Sequence, residues 1–356
     1  MSDDLMNEIA AAKDKSSIIM VVGVGGAGGN AVNHMWNLGI KDVGFMVCNT
    51  DAQALDNSPV EEKVQLGREG LGAGNDPENG RKAAIESLDD IRRRLEAAGT
   101  RMLFVTAGMG GGTGTGASPV IAKLAHEMGI LTVGIVTSPL AVEGKIRYEQ
   151  AFRGIEELSR NVDSLLVINN ENIVEMYGRL SLKQAFGKAD DILASAAKGI
   201  AEIITVESDM VNVDFADVSK VMRDSGRAHM SVATAEGEHR AAEVARASLE
   251  SPLLDHTLIS GAKNILLNIS TSDADSLALD EVMEILKYIQ SHASVQAPDG
   301  TVHDANIIWG TSVKPQLGRR IELVVVATGF DSAAIERAAK PVSYTHLRAH
   351  ETLSDL

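Results

Sequence analysis

With 356 residues the chain is long enough for two globular domains, and its 49 acidic residues outnumber 33 basic ones, giving a formal charge of −16. This charge disfavours binding to nucleic acid and direct contact with anionic lipid, so membrane association would need an adaptor. The polar start Met1–Lys15 is not a signal peptide, no apolar run is long enough to span a bilayer, and the single cysteine, Cys48, excludes an internal disulfide and fits a reducing cytoplasm.

Strands alternate with helices as far as about residue 178, which is typical of a parallel, doubly wound α/β sheet. The predicted strands are Ile18–Val22, Val43–Val47, Met102–Thr106, Leu131–Val136 and Ser164–Ile168. At the end of the second strand, Cys48 is expected to be a small buried hydrophobe.

A long helical pattern runs from Leu180 to about Thr205, and beyond it the chain predicts a smaller α+β unit over residues 218–330. Its predicted strands are Met230–Thr234, Asn264–Ile269, Ala305–Trp309 and Ile321–Ala327, and its predicted helices are Glu238–Leu249 and Leu279–Gln290.

A glycine loop, Gly23–Asn30, lies between the first strand and a helix predicted over Asn30–Leu38. It contains GxGxxG, and Asp51 follows about twenty residues later, which together match the dinucleotide fingerprint of an NAD-dependent Rossmann oxidoreductase. The chain contains no GxxxxGK[ST] sequence, so a P-loop is excluded.

A second glycine loop, Gly110–Gly116, follows the third predicted strand and precedes a helix that starts near Ser118, with Pro119 in its first turn. A glycine loop that leads into a helix exposes backbone N–H groups at the positive end of the helix dipole, which favours phosphate. A Rossmann domain does not use a second phosphate loop on a later strand. The two loops therefore indicate a triphosphate bound at the carboxyl ends of parallel strands.

The sequence Gly110–Gly116 (GGGTGTG) resembles the signature of the tubulin/FtsZ family of GTPases, in its bacterial cell-division branch, and the resemblance extends over roughly residues 18–330. Four further motifs occur in the family's order: Asn49–Leu55, Gly70–Gly74, Glu143–Lys145 and Asn212–Asp217. The resemblance implies a parallel doubly wound GTP-binding domain (18–178), a central helix with a catalytic loop (179–217) and a smaller α+β domain (218–330). Tails over 1–17 and 331–356 flank them.

The resemblance also implies a GTP/GDP site, with Asp51 as a possible Mg²⁺ ligand. Glu143 is placed at the ribose and Arg147 near the sugar and phosphates, although two such side chains four residues apart also form ordinary surface ion pairs. The residues implied in nucleotide binding are Gly25, Gly26, Ala27, Gly28, Gly29, Asn30, Asp51, Ala73, Gly74, Gly110, Gly111, Gly112, Thr113, Gly114, Thr115, Gly116, Glu143, Arg147, Phe186 and Asp190.

Base recognition is predicted for Asp190, which lies four residues after Phe186 and so on the same helix face. A carboxylate can accept hydrogen bonds from guanine N1–H and the 2-amino group, whereas adenine offers no matching pair. The resemblance gives the ring of Phe186 a stacking role. The alternative is a core phenylalanine beside a solvated carboxylate, and Asp191 remains a second candidate for the base contact.

The catalytic residues implied by the resemblance are Asn212, Asp214 and Asp217. A central helix of about 26 residues would span about 39 Å, so this loop cannot reach the phosphates of its own subunit. In the family it enters the next subunit's pocket, and such a head-to-tail contact generates a filament. The alternative is that Asp214 or Asp217 only caps the helix that follows.

The chain departs from the family at three places. Asn75-Asp76-Pro77 follows the loop that closes over the terminal phosphate, and Val206–Asp209 replaces the usual Pro-Gly ahead of the catalytic loop. The stretch from Pro341 matches nothing in the family and resembles appended non-native sequence, so the family's adaptor-binding peptide is not recognisable. The main interpretation is a GTPase that forms division-ring filaments at mid-cell. The alternatives are the NAD-dependent oxidoreductase and a non-hydrolysing structural nucleotide-binding protein.

Overall fold

The computed structural model describes residues 17–40, 42–177, 182–205, 211, 213–250, 259–296 and 302–330. Its strands are β1 Ile19–Val24, β2 Gly44–Asn49, β3 Glu62–Gln65, β4 Met102–Gly108, β5 Leu131–Ser138, β6 Ser164–Asn169, β7 Gly226–Ala235, β8 Asn264–Thr271, β9 Val295–Gln296, β10 Val302–His303, β11 Asn306–Val313 and β12 Ile321–Thr328. Its helices are α1 Gly25–Asn37, α2 Ala52–Asp56, α3 Pro77–Glu86, α4 Leu88–Ala97, α5 Gly112–Glu127, α6 Lys145–Ser159, α7 Asn170–Tyr177, α8 Leu182–Thr205, α9 Phe215–Met222, α10 Arg240–Leu249 and α11 Leu279–Ala293.

The first six strands form a parallel sheet in the order β3-β2-β1-β4-β5-β6. All six residues of β1 are buried, as expected for a strand covered by helices on both faces. The strand order reverses between β1 and β4, and open α/β sheets bind their ligands outside the carboxyl ends of strands at such a switch point.

The C-terminal strands β7, β8, β11 and β12 continue the same sheet, whereas β9 and β10 form a separate antiparallel pair. β12 pairs antiparallel with β7 and with β8, and β11 pairs parallel with β8. The link between the two parts is the short parallel pairing of β6 with β7, in which Ser164 faces Gly226 and Leu165 faces Arg227. The architecture confirms the predicted fold class: a doubly wound α/β part joined to a smaller α+β part.

The central helix α8 lies across both parts of the sheet. Its buried residues Leu193 and Ile200 belong to a hydrophobic cluster that contains Val21 of β1 as well as Val324 of β12. A helix that shares its apolar face with both parts cannot shift against one of them without disturbing the other.

The predicted strands are confirmed, but two predicted helix starts are wrong. α1 begins at Gly25 instead of Asn30, and α5 begins at Gly112, so that Pro119 lies inside the helix instead of in its first turn. Glycine normally disfavours a helix, and the glycines of α5 are tolerated because they pack tightly. A Cβ on Gly116 would lie 1.8 Å from the carbonyl oxygen of Pro77 in α3.

Cys48 is fully buried at the end of β2, as expected for a small hydrophobe, and burial raises the pKa of its thiol to about 12. A thiol with this pKa is unreactive at neutral pH. Among the described helices, none is both long and apolar enough to cross a membrane.

Replacing Gly116 with Ala should lower the free energy of unfolding by about 1–3 kcal/mol, because the added methyl group collides with the α3 backbone. Gly29→Ala is the matched control within a helix: a Cβ added there would have no neighbouring atom within 4 Å, so stability should rise by up to about 1 kcal/mol. Urea unfolding of the nucleotide-free protein measures both. Equal stability of the two variants would contradict the packing argument.

Candidate functional site

A cleft of about 630 Å³ lies at the carboxyl ends of β1, β4 and β5. It is bordered by the start of α1, the start of α5, the start of α6 and the first half of α8. Ten residues predicted from the sequence line it: Gly26, Ala27, Asn30, Gly111, Gly112, Thr113, Gly114, Glu143, Arg147 and Asp190.

The amino ends of α1 and α5 meet at one end of the cleft. Gly25 begins α1 with a φ of 74°, and a Cβ on it would lie 2.8 Å from the backbone nitrogen of Gly114. The first four N–H groups of any α-helix have no partner within the helix, so two sets of donors and two positive dipole ends converge here. This end of the cleft is suited to phosphate oxygens.

Several predicted residues lie behind the cleft surface instead of lining it. The backbone N–H of Gly110, which has a φ of 102°, donates to Thr115 Oγ1 at 2.8 Å, and both residues are buried with Gly116. A Cβ on Gly28 would lie 2.3 Å from the carbonyl oxygen of Thr106. Gly28 and Gly116 let the helices approach their neighbours closely, and Gly29 does not line the cleft either.

The loops beside the phosphate end include further predicted residues. A Cβ on Gly112 would lie 2.8 Å from Cβ of Ala73, which places Ala73 against the start of α5. Ala73 and Gly74 do not line the cleft, whereas the next residue, Asn75, does so with a φ of 60°. This is the point at which the chain departs from the family pattern.

Asp51 does not line the cleft. It caps α2, its Oδ1 accepting hydrogen bonds from Gln53 N at 2.9 Å and Ala54 N at 3.4 Å. Its neighbour Thr50 contacts the second glycine loop, because Thr50 Oγ1 lies 2.6 Å from Thr113 Oγ1. A carboxylate and two hydroxyls are hard oxygen ligands, so these residues fit a Mg²⁺ ion bound together with phosphates.

Glu143 and Arg147 line the cleft and pair with each other. Arg147 Nη1 donates to Glu143 Oε2 at 2.6 Å, and Glu143 Oε1 accepts a hydrogen bond from Leu140 N at 2.9 Å. The ion pair expected of an ordinary surface helix is therefore present, and it also borders the cleft.

The two adjacent aspartates of α8 have different surroundings. Asp190 lines the cleft, and burial, reinforced by the nearby Asp191 carboxylate and opposed by His34, raises its pKa to about 6. Asp191 instead pairs with His34 Nε2 at 2.8 Å and with Lys188 Nζ at 2.8 Å. Phe186 belongs to α8, but its side chain lies outside the described part of the structure.

Besides Asn75, two polar residues of the cleft were missed by the sequence analysis. Thr137 is the last residue but one of β5, and Asn170 follows β6 directly, so both stand at the carboxyl edge of the sheet where ligands were expected. Asn170 Oδ1 is buried and has no hydrogen-bond partner among the described residues. A buried carbonyl oxygen of this kind is suited to a donor on a bound ligand.

The predicted catalytic residues lie away from the cleft. Asp214 caps α9 in a capping box: Asp217 N donates to Asp214 Oδ1 at 2.9 Å, and Asp214 N donates to Asp217 Oδ2 at 3.3 Å. Along α8, Asp190 and Thr205 are about 22 Å apart, and Asp214 follows further along the chain. Asn212 lies outside the described residues.

A second group of possible metal ligands lies far along α5 from the phosphate end. The ligand atoms of His126, Asp163 and Asp224 lie within 4.8 Å of one another. The guanidinium of Arg223 already lies 3.8 Å from Asp163 Oδ1, and Asp163 Oδ2 accepts a hydrogen bond from Thr132 N at 2.8 Å. Because the buried carboxylate has these partners, we assign no ion to it.

The raised pKa of Asp190 predicts that Asp190→Asn stabilises the nucleotide-free protein at pH 7.5. The folded pKa of about 6 exceeds the ordinary value of 3.8, so ionised Asp190 weakens folding above pH 6 and this penalty disappears as pH falls towards 4. The gain should be about 1 kcal/mol, since the carboxylate retains some solvent. Urea unfolding at several pH values measures it; Asp191→Asn should bring no such gain, and a pH-independent effect of Asp190→Asn would contradict the assignment.

Comparisons with known proteins match both parts of the chain to one family. The GTPase domain of the Tubulin/FtsZ family matches residues 18–178, and the C-terminal domain of the FtsZ family matches residues 226–331. The cell division protein FtsZ of Porphyromonas gingivalis is 46% identical over 334 residues, which are 93% of this chain and 71% of that protein.

Solved structures of FtsZ and of a CetZ protein are similar to this chain. An empty FtsZ dimer from M. jannaschii matches with a TM-score of 0.78 and 36% identity, over 92% of this chain and 93% of that one. A GTPγS-bound protofilament of CetZ2 from Haloferax volcanii, at 22% identity, shares the fold with a TM-score of 0.73 over 90% of this chain and 97% of that one. On the matched domains and the identity to a curated relative, this chain belongs to the tubulin/FtsZ family, in its FtsZ branch.

Proposed function

We propose that this chain is a polymerising GTPase that assembles head to tail into protofilaments of the bacterial division ring and hydrolyses GTP where two subunits meet. The observation that carries the proposal is the cleft itself, which joins two helix amino ends at one end to Asp190 at the other. Residues 18–178 form the GTP-binding part, 179–217 the central helix and catalytic loop, and 218–330 the smaller part.

The triphosphate binds at the starts of α1 and α5, where backbone N–H groups donate to its oxygens. Arg147 supplies a positive charge near the phosphates, and its partner Glu143 accepts hydrogen bonds from the ribose hydroxyls. Mg²⁺, held with the phosphates by Asp51 and the hydroxyls of Thr50 and Thr113, would neutralise phosphate charge during hydrolysis. Asn170 Oδ1, buried without a described partner, accepts a donor of the nucleotide.

The base binds between α1 and α8. Ionised Asp190 accepts hydrogen bonds from guanine N1–H and the 2-amino group, while Asn30 borders the same end of the cleft. The choice of Asp190 over Asp191 is supported by the ion pairs that occupy Asp191.

Hydrolysis across the subunit contact is supported by what the cleft contains. Of the described residues that line it, only Glu143 and Asp190 are carboxylates; Glu143 is engaged by Arg147, and Asp190 lies at the base end. Neither is placed to activate water at the phosphates. Asp214 and Asp217, with Asn212, act instead on the nucleotide of the next subunit, and such a heterologous contact produces an open filament.

The oxidoreductase alternative is not favoured, because residues 18–178 match the GTPase domain of the Tubulin/FtsZ family and the second glycine loop, which a Rossmann domain does not use, lines the cleft. Mid-cell assembly and attachment to the membrane through an adaptor are proposed from the family alone. The tail 331–356, on which an adaptor peptide would fall, lies outside the described residues.

Asp190→Asn should weaken GTP binding by about 1.5–3 kcal/mol, the range for a hydrogen bond to a charged group. The amide should improve XTP binding, because it can donate to the 2-oxo group of xanthine. Calorimetric titration with GTP, XTP and NADH measures the change. Unchanged GTP and XTP affinities would move the base contact to Asp191, and tight NADH binding would favour the oxidoreductase.

Mixing two inactive variants tests hydrolysis across the contact. Asp214→Asn keeps a good helix cap but loses the carboxylate, so it should bind GTP, form persistent filaments and release phosphate about a hundredfold more slowly. Thr113→Arg should block the phosphate end while leaving Asp214 intact. The mixture should regain phosphate release, because the second protein presents its carboxylate to GTP held by the first.

Two controls accompany this mixture. Asp214→Ala, which also removes the cap, should be less stable than Asp214→Asn by about 1 kcal/mol but equally slow in hydrolysis. Co-sedimentation shows whether the two variants associate. If they do so and phosphate release stays at the sum of the separate rates, catalysis within one subunit replaces the proposal.

A further inference from the structure

His34 connects the two helices that border the base end of the cleft. It lies one turn after Asn30 on α1, and its Nε2 is 2.8 Å from Asp191 Oδ1 on α8. The other oxygen of Asp191 lies 2.8 Å from Lys188 Nζ. Asp191 is thus held from two sides, directly beside the residue that faces the cleft.

We propose that His34 is a positioning residue for base recognition: its bond to Asp191 ties the first half of α8 to α1 and, together with the apolar packing of the helix, keeps Asp190 facing the cleft. The inference rests on the proposed guanine contact of Asp190. Successive helix residues point about 100° apart, so holding Asp191 on α1 directs Asp190 to a defined neighbouring side. None of the phosphate and base contacts proposed above involves this histidine.

His34 also acts on the charge of Asp190. The charged groups that act on Asp190 are His34 on α1 and Asp191 on its own helix. The Glu143–Arg147 pair lines the same cleft, and Lys188 binds Asp191. Protonated His34 favours the ionised carboxylate, and Asp191 opposes it. Guanine requires the ionised form of Asp190. The negative charge of Asp191 opposes that form, and His34, which pairs with Asp191, offsets this repulsion between the two carboxylates.

The link joins phosphate and base recognition through one rigid element. α1 carries the N–H groups of the phosphate end at Gly25 and Gly26 and, about 13 Å further along, His34. A nucleotide whose phosphates bind at the start of α1 therefore contacts an Asp190 that is positioned by His34 of the same helix. Such a connection favours GTP over nucleotides that fit only one end.

The test uses His34→Ala, with His34→Gln as the conservative variant and His126→Ala as a matched control on α5, outside the cleft. His34→Ala should weaken GTP binding about two- to fivefold, the range of a partly exposed ion pair, and raise KM while kcat at saturating GTP is unchanged. The pH below which GTP binding is lost should move upward, because Asp190 loses a favourable cation.

The glutamine variant can still donate to Asp191, so it should restore most of the affinity but not the pH profile. His34→Ala combined with Asp191→Ala should return the pH profile towards that of the unmodified protein, because two opposing charges are removed together. Circular dichroism and urea unfolding identify any variant that fails to fold. If His34→Ala fails to fold, the pH profile of GTP binding is measured on His34→Gln instead.

Three results distinguish the possible failures. If the unmodified protein does not bind GTP, or Asp190→Asn binds it normally, the proposed base contact is wrong. If that contact holds but His34→Ala matches His126→Ala in GTP affinity and in pH profile, the positioning role is overturned. A fall in stability with unchanged KM and pH profile would also overturn it, because a merely structural residue behaves in that way.

Discussion

The close approach of two helix amino ends is the constraint on which the rest of the site depends. β1 and β4 are neighbours at the point where the strand order reverses, so the helices that follow them start side by side. Where the two helices meet, a Cβ on Gly25 would lie 2.8 Å from Gly114 N, and where α1 packs on β4, a Cβ on Gly28 would lie 2.3 Å from Thr106 O. Only glycine permits both approaches, and the result is a concentration of N–H donors in a strongly acidic protein, where a polyanionic ligand would otherwise be repelled.

The helix α8 connects this site to the rest of the molecule. Asp190 stands near its start, while at its other end Glu202 forms an ion pair with Lys314 Nζ at 2.6 Å, which also contacts Glu322 of β12. Burial would lower the pKa of Lys314, but the two carboxylates outweigh it and raise the pKa. The helix is thus fastened to the C-terminal part at the end opposite the proposed nucleotide site, and a displacement of α8 at the proposed base contact must be shared by both parts of the sheet.

The sequence predicted the strands and ten of the residues that line the cleft, because apolar runs and glycine loops are local signals. It did not predict where α1 and α5 begin, since that depends on glycines such as Gly116 packing against a helix remote in sequence. The rule that ligands bind at the carboxyl ends of parallel strands could have predicted Thr137 and Asn170. Each is a single polar residue outside any sequence motif, so neither was recognised. The choice between Asp190 and Asp191 as the residue facing the cleft depends on His34, which pairs with Asp191. Only the packing of α1 on α8 brings these two residues together.

Helix capping and catalysis were alternatives for Asp214, yet the structure makes them compatible. A group that acts on another molecule's nucleotide must be held in place by its own subunit before the two meet, because ordering it on contact would cost binding free energy. The capping box fixes Asp214 through Oδ1, and Arg101 stacks on the ring of Phe215, the first residue of α9, at 4.5 Å. The cap therefore serves the proposed reaction by presenting an oriented carboxylate to whichever subunit docks there.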